Sequence, residues 1–364
     1  MAAGPLDEML RIPHTKGMKI HFPVFLAVIL TFWGAASARA QFGDDFGESG
    51  SSYPYHVPLG LDAPPVPADN ALSDAKVALG KDLYFDKRLS KNGTVSCETC
   101  HNPMMGWTDH KPVSTGIHGQ HGTRNAPTVL NSAYNPAQFW DGRAPSLEKQ
   151  IEGPVANPVE MGFSLEGAAK RIGAIKGYAP LFAAAFGSPK VTFDRIEQAI
   201  AGFERTILSG DSPYDRYVAG DANALSPEAA KGMALFFGKA NCDACHSGKN
   251  FSDGDYHNIG VGMASKHPDW GRYLVTKQDA DRGKFKTPTL RDLPETFPYM
   301  HDGSVETLAE VIKFYNRGGE KNKWLDPQMH PLNLDSAEQA ELVAFLDALN
   351  GGEDRMSAPK NLPR

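Results

Sequence analysis

Apolar residues recur at three- and four-residue steps in four stretches of the chain, Leu165–Ile175, Phe193–Leu208, Glu306–Tyr315 and Ser336–Leu349. That period belongs to amphipathic helices, and no set of alternating apolar and polar positions competes with it as strands. In the third stretch Val305, Leu308, Ile312 and Tyr315 fall on one stripe, with Ser304 placed to cap the helix and Gly318 to end it. On pattern alone Tyr315 is a core aromatic. Two other segments repeat each other: Leu72–Lys87, "LSDAKVALGKDLYFDK", and Leu225–Lys239, "LSPEAAKGMALFFGK", share Leu-Ser and then Gly-x-x-Leu-aromatic-Phe-x-Lys. Ser73 and Ser226 read as helix caps, and Pro227 takes the first-turn position where its missing N–H costs nothing. The pattern therefore predicts an all-α chain of two tandem helical domains joined by long Gly- and Pro-rich loops. The domains are expected over 71–215 and 216–364, with the Gly/Asp/Ser-rich "ILSGDSPYDRYVAGDANAL" at the junction. Residues 41–70, rich in Gly and Pro and without periodicity, read as an extended arm.

The first forty residues change the picture of where the chain works. A basic "MKIH", the apolar run "FPVFLAVILTFWGAA" and then "SARAQ" have the order of a secretory signal with an A-x-A cleavage site, so residues 1–40 are excluded from the fold. The run is short for a membrane span, although an uncleaved anchor is the rival reading, and Met18 is a second possible start. The expected location is the periplasm, with no membrane span after cleavage. Removing residues 1–40 takes away more basic than acidic side chains from a chain whose formal net charge is −6, which leaves it more acidic still. No Lys/Arg patch interleaved with aromatics appears, which argues against nucleic acid as a partner. A length of 364 residues suits about two domains.

An exported protein ordinarily spends its cysteines on disulfides. The four here, Cys97, Cys100, Cys242 and Cys245, are spaced for something else. They form "CETCH" and "CDACH", in which two thiols can add to the vinyl groups of a haem while the next residue, His101 or His246, turns onto the iron. A zinc site would want its two C-x-x-C halves closer together, and a dithiol pair gives no reason for a histidine after each. The expectation is two covalently bound c-type haems, one in each cytochrome c-like helical domain.

With the two haem motifs in place, "GTRNAPTVLN", "QFWDGRAPSLEKQ", "GPVANPVEMG", "FKTPTLRDL" and "TFPYMHDGSV" occur in the order of the bacterial dihaem cytochrome c peroxidase and MauG superfamily. The resemblance covers nearly all of residues 70–350. It implies a haem peroxidase-type oxidoreductase in which the first haem meets hydrogen peroxide and the second is six-coordinate. In that family the position fourteen residues after the histidine of "PYMHDG" supplies the distal ligand of the second haem, methionine in ordinary peroxidases and tyrosine in MauG. Here that position is Tyr315. A phenolic oxygen is a hard donor that favours ferric and higher states, whereas a thioether favours ferrous iron. The resemblance thus implies a MauG-like member that oxidises aromatic residues, above all tryptophan, of a periplasmic partner protein through paired Fe(IV) centres. The short tail after Tyr315 resembles smaller members of the MauG-like group, such as MbnH, that convert a partner's tryptophan to kynurenine. The alternative is a peroxidase that reduces hydrogen peroxide with electrons from a small carrier, a c-type cytochrome or cupredoxin.

The resemblance also implies a distal set. Trp140 in "FWDGR", Gln150, Pro154 and Glu160 in "NPVEMG" match the family's peroxide side, with Glu160 as the acid–base group, Gln150 orienting peroxide and Trp140 as an inter-haem relay. A second relay tryptophan stands two residues before the second haem motif in MauG, and this chain has Ala240 there. The loop "STGIHGQHGTRNAP" offers His118 and His121 as caps for the first haem; both are read as loop residues, with that haem open. A calcium ion between the domains is implied at Asn125, Thr296 and Pro298, an oxygen-donor set suited to a hard cation.

Overall fold

The computed structural model describes residues 53–352 and 356–364. The expected export signal over residues 1–40 and the first part of the 41–70 arm lie outside the described residues. Within them the helices are α1 (Asp74–Tyr84), α2 (Cys97–Cys100), α3 (Leu147–Ala156), α4 (Leu165–Gly173), α5 (Tyr178–Phe186), α6 (Phe193–Glu204), α7 (Pro213–Val218), α8 (Pro227–Phe236), α9 (Tyr273–Thr276), α10 (Leu308–Asn316) and α11 (Ser336–Asp347). One antiparallel pair of two-residue strands, β1 (Tyr256–His257) and β2 (Phe285–Lys286), is the exception to an all-α architecture. No helix among the described residues is long and apolar enough to cross a membrane.

The repeated segments form α1 and α8, and their shared residues have a shared physical reason. Ser73 and Ser226 accept hydrogen bonds from the amides of Lys76 and Ala229 at 3.2 and 3.0 Å, closing each helix start. Helix α1 packs on α6, and α8 packs on α11. A Cβ on Gly80 would lie 1.9 Å from the Ala199 carbonyl oxygen, and one on Gly232 would lie 1.9 Å from that of Glu341. Each glycine is therefore the point where two backbones meet too closely for any side chain. Around the first crossing Leu83, Tyr84, Ile196 and Phe203 are buried, and around the second Phe236, Leu342 and Phe345. Fully burying a side chain of this size contributes about 1.5–3 kcal/mol, so the two crossings anchor the two halves.

A second repeat becomes visible only in three dimensions. The segments "APTVLN" (Ala126–Asn131) and "TPTLRD" (Thr287–Asp292) follow the same course. Thr128 Oγ1 donates to the Gly106 carbonyl at 2.7 Å and Thr289 Oγ1 to that of Asn250 at 2.8 Å. At one constant offset along the chain, Asn131 and Asp292 both take positive φ (59° and 57°), and so do Phe139 and Met300 (68° and 74°). Bridges Gln138–Ala144 and Tyr299–Val305 then lead into α3 and α10, capped by Ser146 and Thr307. In this register Asn125 corresponds to Lys286 and Trp140 to His301. The Asn125 amide donates to the His301 carbonyl at 2.8 Å, and the Lys286 amide donates to that of Trp140 at 2.7 Å. The bonds are reciprocal, as in an isologous contact, so the halves meet about an approximate two-fold axis beside Trp140.

The same register corrects the start of α10. Ser304 is not its cap: Thr307 is, in a capping box with Glu310, and Val305 pairs with Tyr299 before the helix begins. Gly318 does end it, donating to the Tyr315 carbonyl while Gly319 donates to that of Phe314, the bond pattern of a Schellman motif. Helix α6 stops at Glu204 rather than running to Leu208, and α3, α5 and α7 are additional to the four expected stretches. The described part of the arm is tied to both halves. The Tyr134 hydroxyl donates to the Asp62 carbonyl at 2.6 Å, and the Asp62 carboxylate pairs with Lys249.

Candidate functional site

Both C-x-x-C-H motifs stand on short helical turns, α2 and the turn Cys242–Ala244, and all four thiols are free. Burial pushes the Cys100 thiol up to about 11 and that of Cys242 up to about 12, so neither group is a poised thiolate. Each following histidine is aimed by a backbone carbonyl. The His101 Nδ1 is 3.3 Å from the Trp107 oxygen and the His246 Nδ1 is 3.0 Å from that of Phe251. A hydrogen bond there commits the proton to Nδ1 and leaves Nε2 as the free donor atom of a neutral imidazole. Burial lowers the affinity of both rings for a second proton.

Cys242, Cys245, His246 and Tyr315 line one cavity of about 260 Å³, whose other walls include Phe236, Leu342 and Leu346. Lys286 also lines it, with 8% of its surface exposed and no ion pair among the described residues. Desolvation alone pulls its ammonium down to about 8. An apolar slot with two thiols, a histidine, a phenol and one uncompensated buried cation fits a haem, whose carboxylates are the anions such a lysine lacks. The Tyr315 hydroxyl is pushed up by burial and then by the nearby Cys242 and Cys245 sulfurs. Cys245, Asp253 and His257 also bring three donor atoms together. Both His257 ring nitrogens are engaged there by carboxylates, Asp326 at 2.7 Å and Asp253 at 3.0 Å, which makes the group an ion-pair clamp on the cavity wall.

In the first half, Gln150 and Pro154 sit one turn apart on a single face of α3. The chain then doubles back: the Met161 amide donates to the Pro154 carbonyl at 3.1 Å and that of Phe163 to Val155 at 2.8 Å, which returns Glu160 to the end of α3. Glu160 Oε1 accepts from Asn157 Nδ2 at 2.6 Å. Burial raises the Glu160 carboxyl above its ordinary range, opposed by Asn157 and Arg143, and its charge reaches Cys100. The four expected peroxide-side residues thus divide: Gln150, Pro154 and Glu160 cluster at α3, while Trp140 stands at the junction of the halves.

Each half matches a known family. Residues 74–223 match the family model for di-haem cytochrome c peroxidase and residues 229–350 that for cytochrome c. The chain is 44% identical over 297 residues to the methylamine utilization protein MauG of Methylorubrum extorquens, spanning 81% of this chain and 84% of that one. The chain belongs to the dihaem cytochrome c peroxidase and MauG family. It is also 43% identical to cytochrome c551 peroxidase of Nitrosomonas europaea, over 77% of this chain and 81% of the relative. A crystal structure of a MauG-like protein associated with microbial copper homeostasis superposes with a TM-score of 0.78 at 34% identity, covering 85% of this chain and 100% of that one. As a member of this family the chain is a dihaem peroxidase-type oxidoreductase with two c-type haems.

The remaining expected residues fall as follows. Trp140 Nε1 donates to the Asn125 carbonyl at 2.9 Å, beside the reciprocal bonds that join the halves. Asn125, Thr296 and Pro298 all line the same cavity, and Asn125 spends its amide nitrogen on the Lys111 carbonyl at 2.9 Å. His118 and His121 are both exposed, and His121 Nδ1 contacts the Thr115 hydroxyl at 3.3 Å. Ala240 is buried in the wall of the cavity that Cys242 and Tyr315 line. Lys286 and the stack of Phe285 on His301, 3.6 Å apart, were missed from sequence. The signal that could have found them is the three-dimensional repeat, in which Lys286 is the partner of Asn125 and His301 of Trp140.

Proposed function

We propose that this protein is a periplasmic, hydrogen-peroxide-dependent dihaem enzyme, MauG-like, that oxidises aromatic residues, tryptophan first, on a partner protein. One contrast carries the reading: Pro154 and Tyr315 are both the eighth residue of their helix, α3 and α10, at equivalent places in the two halves. A proline side chain offers no donor atom and would leave room for peroxide at the first haem site; a tyrosine at the matching place would offer a hard oxygen at the second. When bound, the first haem supplies peroxide cleavage and the second a store of oxidising equivalents that a phenolate ligand favours over ferrous iron.

The chain's own groups supply the rest. His101 and His246 would hold the two haem irons, oriented through their Nδ1 contacts to Trp107 and Phe251. Glu160 takes the proton of the near peroxide oxygen and returns it to the departing one, a task suited to a carboxyl raised by burial. Gln150 donates from its carboxamide to hold peroxide in line. Trp140, amphipathic and oxidisable, bridges the halves as the relay. Asn125 Oδ1 with the Thr296 and Pro298 carbonyls would hold a calcium ion that ties the halves together.

The similarity to MauG and to the copper-associated MauG-like protein supports a protein substrate. The similarity to cytochrome c551 peroxidase supports the second reading, peroxide reduction fed by a small c-type cytochrome or cupredoxin. Stoichiometric hydrogen peroxide added to the diferric holoprotein separates the two. The first reading expects both haems to change spectrum and persist without prior reduction; the second expects no reaction until one haem is reduced.

A further inference from the structure

Two of the five tryptophans, Trp270 and Trp324, have no part in the site so far. Their rings meet edge to face with centroids 5.6 Å apart. The Arg282 guanidinium lies over both, at 4.8 and 5.4 Å, and over Tyr273 at 4.0 Å. Trp324 Nε1 donates to Asp279 Oδ2 at 3.2 Å. A fully buried asparagine fixes this group: Asn258 Nδ2 donates to the Arg282 carbonyl at 2.8 Å, its amide pairs with that of Asn322, and its carbonyl accepts from the Asp326 amide at 2.9 Å. The cluster also abuts the cavity that Cys242 and Tyr315 line. A Cβ on Gly271, next to Trp270, would lie 3.1 Å from the Phe285 ring, and Phe285 lines that cavity, as does Asp326, two residues beyond Trp324.

The outer side of the cluster is apolar with a basic rim. Leu274 and Val275 are 47% and 40% exposed. Across segments 263–284 and 320–326 the exposed charged side chains are Lys266, Lys277, Lys321 and Lys323 against Asp279 and Glu320, and those two acids are held, the first by Arg282 at 2.6 Å with Lys323 at 3.9 Å, the second by Arg317 at 3.9 Å. In a chain of net charge −6 such a rim selects a partner that is acidic around its oxidisable group.

We propose that the Trp270–Trp324 cluster is the docking and electron-entry port of the second haem site for an acidic partner protein, replacing the relay tryptophan that Ala240 does not provide. The inference rests on the dihaem oxidase reading above. An indole gives one electron to the oxidised haem site while the Trp324 N–H proton moves to the Asp279 carboxylate. An electron from the partner's aromatic ring then refills the indole, and the proton returns. Two such transfers take two electrons and two protons from the partner and reduce one hydrogen peroxide to two waters.

The test uses the dihaem protein with hydrogen peroxide and, as probe, an acidic peptide of four glutamates around one tryptophan, with its lysine counterpart as control. Without peptide, peptide mapping should find oxygen added at Trp270 and Trp324 in preference to Trp107. With peptide, the acidic probe should be oxidised faster than the lysine probe, and K277E/K323E should cut that preference by roughly tenfold at low salt. W270F/W324F should slow probe oxidation, and the peroxide consumption coupled to it, while leaving the resting haem spectra as they were. Undiminished probe oxidation in W270F/W324F, or no discrimination between the peptides, would overturn the port. Failure of the wild-type protein to oxidise either peptide or its own indoles would instead remove the oxidase reading itself.

Discussion

The two halves share a scaffold and differ where chemistry is done. Each has a glycine-mediated helix crossing, at Gly80 and at Gly232, and each aims its motif histidine through Nδ1 onto a loop carbonyl. Each also carries a Pro-Thr segment and a capped helix at the same offset. On that helix the first half has Pro154, with a returning loop that brings Glu160, and the second has Tyr315. The halves agree on the side of the motif histidines; in the proposed function the opposite side is where one half takes peroxide and the other offers a phenol. The likeness of the halves makes each an internal control for the other.

The largest expected effect falls on the first half alone. Glu160→Gln should slow peroxide cleavage by about 10²–10⁴-fold, the usual contribution of a general acid–base group, with the His246 haem spectrum unchanged. Stopped-flow mixing with peroxide reads it, and unaltered kinetics would take Glu160 out of the chemistry. Next comes the second half: Tyr315→Met should raise the potential of its haem by on the order of 0.1 V or more and abolish oxidation of a partner, while peroxide still reacts at the first. Spectroelectrochemistry measures the shift, and an unmoved potential would break the contrast between the helices.

The crossings should respond alike. Gly80→Ala and Gly232→Ala each force a methyl against a carbonyl, and each should cost about 1–3 kcal/mol, seen as a lowered Tm of the holoprotein. A large effect at one and none at the other would show that the scaffolds are not equivalent. The last comparison, read as a pH dependence, concerns two acids that both end their helix. Glu204 closes α6 buried, its carboxyl pushed up to about 8 by desolvation, whereas Asp347 closes α11 exposed. A carboxyl with a raised folded pKa keeps its proton longer in the folded state, so its contribution is present at acid pH and is lost as pH rises from the ordinary glutamate range toward 8. Glu204→Gln should flatten the fall of stability with rising pH in that window, read as the Tm at several pH values. Asp347 is raised as well, by partial desolvation, so Asp347→Asn should change the pH dependence of unfolding in the same direction over a narrower window.

How much of this the sequence carried follows from what kind of signal each part leaves. The amphipathic helices, the α1 and α8 repeat and the two haem motifs were legible because periodicity and spacing are local. Helix α5, "YAPLFAAAF", is apolar almost throughout and shows no stripe, and α3 is interrupted by Gly153 and Pro154, so neither announces itself. Ser304 looked like a cap because Val305 extends the apolar stripe backward, yet that valine belongs to a bridge with Tyr299. The second repeat was hidden because its two copies keep backbone course, positive φ and caps while sharing few side chains. Lys286 gave no sign of its importance, since only burial turns a lysine into an uncompensated charge.

The central claim is that the Tyr315 oxygen bonds the iron held by His246. Resonance Raman of the diferric holoprotein, excited into a phenolate-to-iron transition, tests it most directly. The expected result is a set of iron–tyrosinate modes in the wild-type protein that vanish in Tyr315→Phe. Their absence from the wild type, or their survival in the variant, would contradict it.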